Sequence, residues 1–128
     1  MARRKIEVLI HHHLVIRALV ADPPRNTDYM IKWLSQMIED IGMNVLYGPK
    51  AIYSEKEGNR GLTAFAIIDT SHIALHSWDE ESPGMIQLDV YSCAEFEKDT
   101  IFNSLKEFSP VHIDYKFLDR SGDFILAS

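Results

Sequence analysis

The residues of this chain that can do more than pack are concentrated around one stretch, Thr70 to Glu80, which reads TSHIALHSWDE. Ser71 is a potential nucleophile, His72 and His76 carry imidazoles, and Asp89 and Cys93 follow within a short distance. If the run from Ser71 to Trp78 is a strand, alternation puts His72, Ala74 and His76 on one face and Ser71, Ile73 and Leu75 on the other. Two histidines on one side of a strand offer a metal reading. No cysteine or carboxylate stands at a characteristic ligand spacing, however, and the three residues of the His11–His13 run cannot all point at one ion. Ser71, His76 and Asp89 supply the residue types of a hydrolytic triad, but the G-x-S-x-G elbow and its strand-to-helix turn are missing. Cys93 is the only cysteine, so it makes no intramolecular disulfide. It is either a small buried hydrophobe, which composition favours, or a reactive thiol in a reducing compartment.

The elements that must position these residues follow from periodicity. Residues 13–20, HLVIRALV, read as a strand that Asp22, Pro23 and Pro24 end. Over 27–42 the apolar residues Met30, Ile31, Leu34, Met37, Ile38 and Ile41 recur at helical spacing, with Thr27 or Asn26 as N-cap and Gly42 as stop. MNVLYG and AIYS look like strand pieces interrupted by Gly48 and Pro49, and residues 55–61 form a polar loop. LTAFAIID, SHIALHSW and MIQLDVYSC are three further strands. Residues 94–109 predict a second helix, VHIDYKFLD a closing strand, and DFILA a possible last one. The order β-α-β-β-β-β-α-β with hairpin-length connections implies an α/β (α+β) fold: a two-layer sandwich, a mostly antiparallel sheet with two helices on one face.

With 128 residues the chain suits a single domain, 1–128. Its net charge of −6 argues against a nucleic-acid partner, since phosphate contacts need clustered cations, and Arg3, Arg4 and Lys5 read as a solvated tail. No apolar run is long enough to span a bilayer and no signal-peptide core is visible, so the expectation is a cytoplasmic protein with no membrane partner.

TSHIALHSWDE followed by IQLDVYSC resembles the short prokaryotic S-adenosylmethionine decarboxylases, whose pattern is close to ESHIxIHTWPE and then a strand ending D-V/I-F/Y-T/S-C. The likeness extends more loosely over the whole chain, from an HL-initiated first strand to the second helix. It implies a precursor that cleaves itself between Thr70 and Ser71, leaving a covalently bound pyruvoyl group made from Ser71. Such a ketone condenses with the substrate's α-amino group and takes up the electrons left by loss of CO2.

By this resemblance His76 assists the elimination that makes the ketone, Thr63 assists processing, Cys93 returns a proton during turnover, and Glu80 holds ribose hydroxyls. Trp78 is either core packing or a ligand contact. The resemblance also implies a homodimer with its active sites near the subunit boundary. The exposed sheet face points the same way, because AFAII and MIQLDVY look too apolar to stay wet. Two departures stand out. Thr70 replaces the glutamate before the scissile bond, and YSEKEGNRGLTA replaces the F-x-P-x-G-V-S-G stretch whose phenylalanine stacks on adenine, leaving Tyr53 as the nearest aromatic. The implied function is decarboxylation of S-adenosylmethionine for polyamine (spermidine) synthesis, and the net negative charge is compatible with a cationic sulfonium substrate. The alternatives are a non-cleaving homologue that binds an adenosine-containing ligand or a protein partner, and a pyruvoyl decarboxylase of arginine or ornithine.

Overall fold

A computed structural model describes residues 10–127; Arg3, Arg4 and Lys5 lie outside the described residues. Within it the chain forms β1 (His12–Val20), α1 (Thr27–Asp40), β2 (Val45–Ser54), β3 (Gly61–Ile68), β4 (Ser71–Trp78), β5 (Gly84–Ser92), α2 (Lys98–Leu105) with a 3-10 turn (Lys106–Phe108), β6 (Pro110–Asp119) and β7 (Ile125–Leu126). The strands make one antiparallel sheet in the order β2-β3-β4-β5-β1-β6-β7. The expected element order is present. Among the described residues no helix is long and apolar enough to cross a membrane.

Helix α1 starts where the side chain of Asn26 accepts the Tyr29 N–H at 2.8 Å, so Asn26 rather than Thr27 is the cap. Its apolar stripe of Met30, Trp33, Leu34, Met37 and Ile38 is buried, and the chain leaves the helix through Gly42 at φ +80°. The second helix is shorter than the sequence predicts. The Ala94 N–H is taken by Ser92 Oγ at 2.9 Å, which ties the chain to the end of β5, and helical turns begin only at Lys98. Residues 45–54 form one strand with register irregularities around Gly48 and Pro49 instead of two separate pieces.

The helices cover one sheet face. Leu14, Ile16, Leu62, Ile73, Leu75, Ile86, Leu88 and Val90 point into that layer, and all are at most 4% exposed. Strict alternation then puts Arg17, Thr63, Phe65, Ile67, His72, His76, Gln87, Asp89 and Tyr91 on the other face. That face is less apolar than MIQLDVY suggests, because Ile86, Leu88 and Val90 turn toward the helices and Gln87 and Asp89 turn away. Its apolar part lies over β3, where Phe65 and Ile67 are 39% and 44% exposed.

Candidate active site

The connection between β3 and β4 is a two-residue turn, Asp69–Thr70. It is anchored on both sides. Asp69 accepts the backbone N–H of Asn44 at 3.2 Å and its side-chain amide at 2.9 Å, while the Thr70 carbonyl accepts the backbone N–H of Cys93 at 2.9 Å. The hydrogen bonds from Asn44 hold the Asp69 carboxyl below its ordinary range. Ser71 opens β4 opposite Ser92 with φ +153°, a region that side-chain-bearing residues seldom occupy and that stores strain next to the Thr70–Ser71 bond. Cys93 is exposed, contrary to the burial that composition favours, because it lies just past the end of β5. A nucleophile, a polarised carbonyl and a thiol-bearing residue thus come together at one end of the sheet.

A second group lies farther along β4. Thr63 and His76 are cross-strand neighbours, and Thr63 Oγ1 stands 3.1 Å from His76 Nδ1. Gln87 and Arg17 continue the same row across β5 and β1. Ser71 and His76 are five residues apart on one strand, a span of roughly 16 Å. The structure therefore does not bring them together within one chain.

The triad reading fails at its acid as well. Asp89 faces His13, whose Nε2 is 2.6 Å from Oδ1, and His72, at 3.6 Å. Burial opposes ionisation of Asp89, but the hydrogen bond from His13 and the nearby imidazoles prevail and hold its carboxyl below the ordinary range. Arg120, which can only donate, contacts His13 Nδ1 at 3.0 Å, leaving Nε2 as the N–H that reaches Asp89. His72 and His76 are about 13 Å apart along the strand, too far to share an ion. In the His11–His13 run, His12 packs edge-on against Phe117 while His13 turns to the opposite face.

The third group closes the far end of β4. Trp78 is half-buried, lies 6.0 Å from the His76 ring, and donates its indole N–H to Asn59 Oδ1 at 2.7 Å. Glu80 accepts the backbone N–H groups of Arg60 and Gly58, both at 3.0 Å, and these bonds hold its carboxyl below the ordinary range. Each oxygen keeps a free lone pair for a ligand. Trp78, Glu80 and Arg17 line one cleft of about 440 Å³. Gly61 permits the close approach of this loop to β4, since a Cβ there would meet the Ser77 carbonyl oxygen at 1.7 Å.

Tyr53 does not face that cleft. It packs toward the helix layer and donates its hydroxyl to Asp79 at 2.6 Å. The side chain of Asp79 is fully buried and also meets Arg60 Nε at 3.0 Å and Arg25 Nε at 3.2 Å. Burial raises the cost of its charge, but the hydrogen bonds from Tyr53 and Arg60 prevail and keep its carboxyl below the ordinary range. Sequence reasoning missed Ser92, Asn59 and this Asp79 cluster. The visible signal for Asp79 was a carboxylate in place of the proline in the W-P-E pattern, directly after an apolar strand.

Comparison with known proteins agrees with this architecture. A family model described as S-adenosylmethionine decarboxylase matches residues 12–121. The S-adenosylmethionine decarboxylase proenzyme of Clostridium botulinum (strain Loch Maree / Type A3) is 32% identical over 99 residues, covering 75% of this chain and 80% of that protein. The proenzyme of the same description from Pyrobaculum arsenaticum is 38% identical over 65 residues, 49% of this chain and 50% of that one. Among solved structures, the adenosylmethionine decarboxylase from Aquifex aeolicus VF5 superposes with a TM-score of 0.66 at 19% identity, covering 85% of this chain and 88% of that chain, a likeness of fold.

Proposed function

We propose, from the premise that this chain belongs to the S-adenosylmethionine decarboxylase family, that it cuts itself between Thr70 and Ser71 and then decarboxylates S-adenosylmethionine, whose product donates aminopropyl groups for polyamine synthesis. The observation that carries the reading is the hydrogen bond from the Cys93 N–H to the Thr70 carbonyl beside a strained Ser71. That donor is aimed at the oxygen on which negative charge grows when Ser71 Oγ attacks the carbonyl carbon.

In the attack the C–O ester bond forms, the Thr70–Ser71 C–N bond breaks, and the nitrogen keeps the proton the hydroxyl loses. A base then removes the Ser71 α-proton, the Thr70 carboxylate departs, and the dehydroalanine left behind tautomerises and takes up water with release of ammonia. The product is a ketone at the new N-terminus of β4. When formed, this pyruvoyl group supplies an electron sink for loss of CO2 from an α-amino acid. The site fits it, because Ser71 opens a strand with the exposed Cys93 close by.

The remaining residues divide the work. His76, braced by Thr63, takes the α-proton, Cys93 returns a proton to the decarboxylated carbon, and Glu80 binds ribose hydroxyls with Trp78 alongside. Because Ser71 and His76 of one chain stand roughly 16 Å apart, the site is completed by a homodimer in which the open sheet faces meet and a second copy supplies His76.

A second reading keeps the self-cleavage and changes the substrate to arginine or ornithine. It is favoured by the cleft itself: residues 55–60 carry no aromatic side chain, and Tyr53 is turned away to Asp79. One experiment tests both. Intact-mass analysis should find fragments of 70 and 58 residues, and the processed protein should release CO2 from carboxyl-labelled S-adenosylmethionine. Release only from arginine or ornithine selects the second reading, and an intact chain that binds an adenosyl compound without turnover refutes both.

A further inference from the structure

The buried hydroxyl of Ser92 belongs to none of the roles assigned above, yet it contacts the side chain of the residue that precedes the bond to be cut. Ser92 is fully buried and pairs with Ser71 across the β4–β5 ladder. Its Oγ accepts the Ala94 N–H at 2.9 Å and lies 3.0 Å from Thr70 Oγ1 and 2.8 Å from the Ala94 carbonyl oxygen. The single Ser92 proton goes either to Thr70 Oγ1, whose own hydroxyl then donates to Met43 Sδ at 3.1 Å, or to the Ala94 carbonyl, in which case the Thr70 hydroxyl donates to Ser92 Oγ; the two hydroxyls are bonded to each other in both arrangements. A polar chain therefore runs from the Ala94 N–H through Ser92 to Thr70. Between Ser92 and Ala94 lies Cys93, whose N–H meets the Thr70 carbonyl.

We infer that Ser92 is a positioning residue for self-cleavage: its hydroxyl clamps the Thr70 side chain to the 92–94 bend, so that the Cys93 N–H points at the carbonyl oxygen Ser71 must activate. The inference rests on the self-processing reading and adds to it a residue that touches no substrate. Two anchors make the clamp effective. Asn44 holds the turn on one side through Asp69, and the Ser92 hydroxyl holds the Thr70 side chain on the other. Thr70 is part of the device. Where the family pattern has glutamate, this chain has a short hydroxyl that fits between Ser92 and Met43.

The test follows the appearance of the two fragments in freshly refolded precursor by intact mass, for wild type, Ser92→Ala, Ser92→Thr, Thr70→Val and the Ser92→Ala/Thr70→Val double variant. Loss of the clamp misplaces the donor without deleting it, so cleavage in Ser92→Ala and in Thr70→Val should slow on the order of ten- to a hundredfold. Ser92→Thr, which keeps the hydroxyl, should restore most of the rate. The double variant should be no slower than the slower single variant, because both changes break one interaction. Circular dichroism melts establish that each variant is folded, and Thr70→Val serves the test if Ser92→Ala is not. Wild-type cleavage rates in the folded single variants overturn the assignment of Ser92. A wild-type chain that never cleaves overturns the self-processing reading as well, so the two failures are distinguishable.

Discussion

The Thr63 hydroxyl lies 3.1 Å from Nδ1 of His76, directly across the β3–β4 ladder, and it fixes which way the imidazole faces. A base that removes an α-proton must present a nitrogen toward it, and a hydroxyl bonded to Nδ1, as donor or acceptor, holds the ring with Nε2 turned outward. Thr63→Val should therefore slow formation of the ketone about tenfold, whereas Thr63→Ser should stay near wild type. His76→Ala should stop the sequence at the same step and more completely. Its precursor should collect as the Thr70–Ser71 ester, which hydroxylamine cleaves, and mass spectrometry of treated and untreated protein reads the difference.

Ser71→Ala removes the hydroxyl proposed to attack the Thr70 carbonyl. The expected result is an uncut chain of 128 residues with no decarboxylase activity and an unchanged fold. Fragments appearing in that variant would contradict the mechanism outright.

Cys93→Ala should separate processing from turnover. The backbone N–H that faces Thr70 survives the substitution, so cleavage should continue, while turnover per processed chain should fall by about a hundredfold and part of the product should carry misplaced protons. Because Cys93 is exposed, the stability should change by no more than a surface substitution does, about 0.5 kcal/mol. A normal turnover number in the processed variant removes Cys93 from the chemistry.

How much of this was legible in the sequence depends on what each residue needs around it. The helix at 27–40 and the strands at 61–68, 71–78 and 84–92 write themselves as apolar periodicities, because each buries a single face against a single layer. The second helix was over-read. Phe96 has helical spacing to the residues after it, but a serine hydroxyl capturing the Ala94 N–H two residues on is a local turn that apolar periodicity does not record. Ser71, His76 and Cys93 were visible as chemistry, yet their distribution over two separate places on the sheet follows from register alone. His13 and Asp89 are 76 positions apart and meet only because β1 inserts beside β5. Asp79 was the least legible. A carboxylate after a strand reads as a turn residue until Arg25, Arg60 and Tyr53 are seen converging on it.

Asp79 gives a prediction about acid. Its folded carboxyl is held below the ordinary value, so the stabilisation it contributes is fully present above the unfolded value of about 3.9 and is lost as pH falls through the folded value. Asp79→Ala should cost about 3 kcal/mol at neutral pH, since it leaves two guanidinium groups and a tyrosine hydroxyl without their partner. Thermal melts of wild type and Asp79→Asn should differ most near pH 7 and converge as the pH drops below about 4. A difference that holds constant to pH 2 would assign the cluster to packing alone.

The last prediction concerns what completes the site. Ser71 and His76 stand five positions apart on one strand, and no rotamer of an imidazole spans roughly 16 Å. The open face carries Phe65 and Ile67 exposed beside the Thr63–His76 pair, which gives a second copy an apolar surface to cover next to the group it must borrow. Light scattering should therefore report a dimer of the 14.7 kDa chain at micromolar concentration. Complementation is the sharper test. Ser71→Ala and His76→Ala chains should each be inert alone. Refolded together, they should form mixed dimers in which the serine of one chain meets the histidine of the other, giving one working site of the two. Cleavage should then appear only in the His76→Ala chain, up to about half of it when the chains assort at random in equal amounts. If the mixture stays as inert as its components while light scattering shows that mixed dimers have formed, His76 acts within its own chain or not at all.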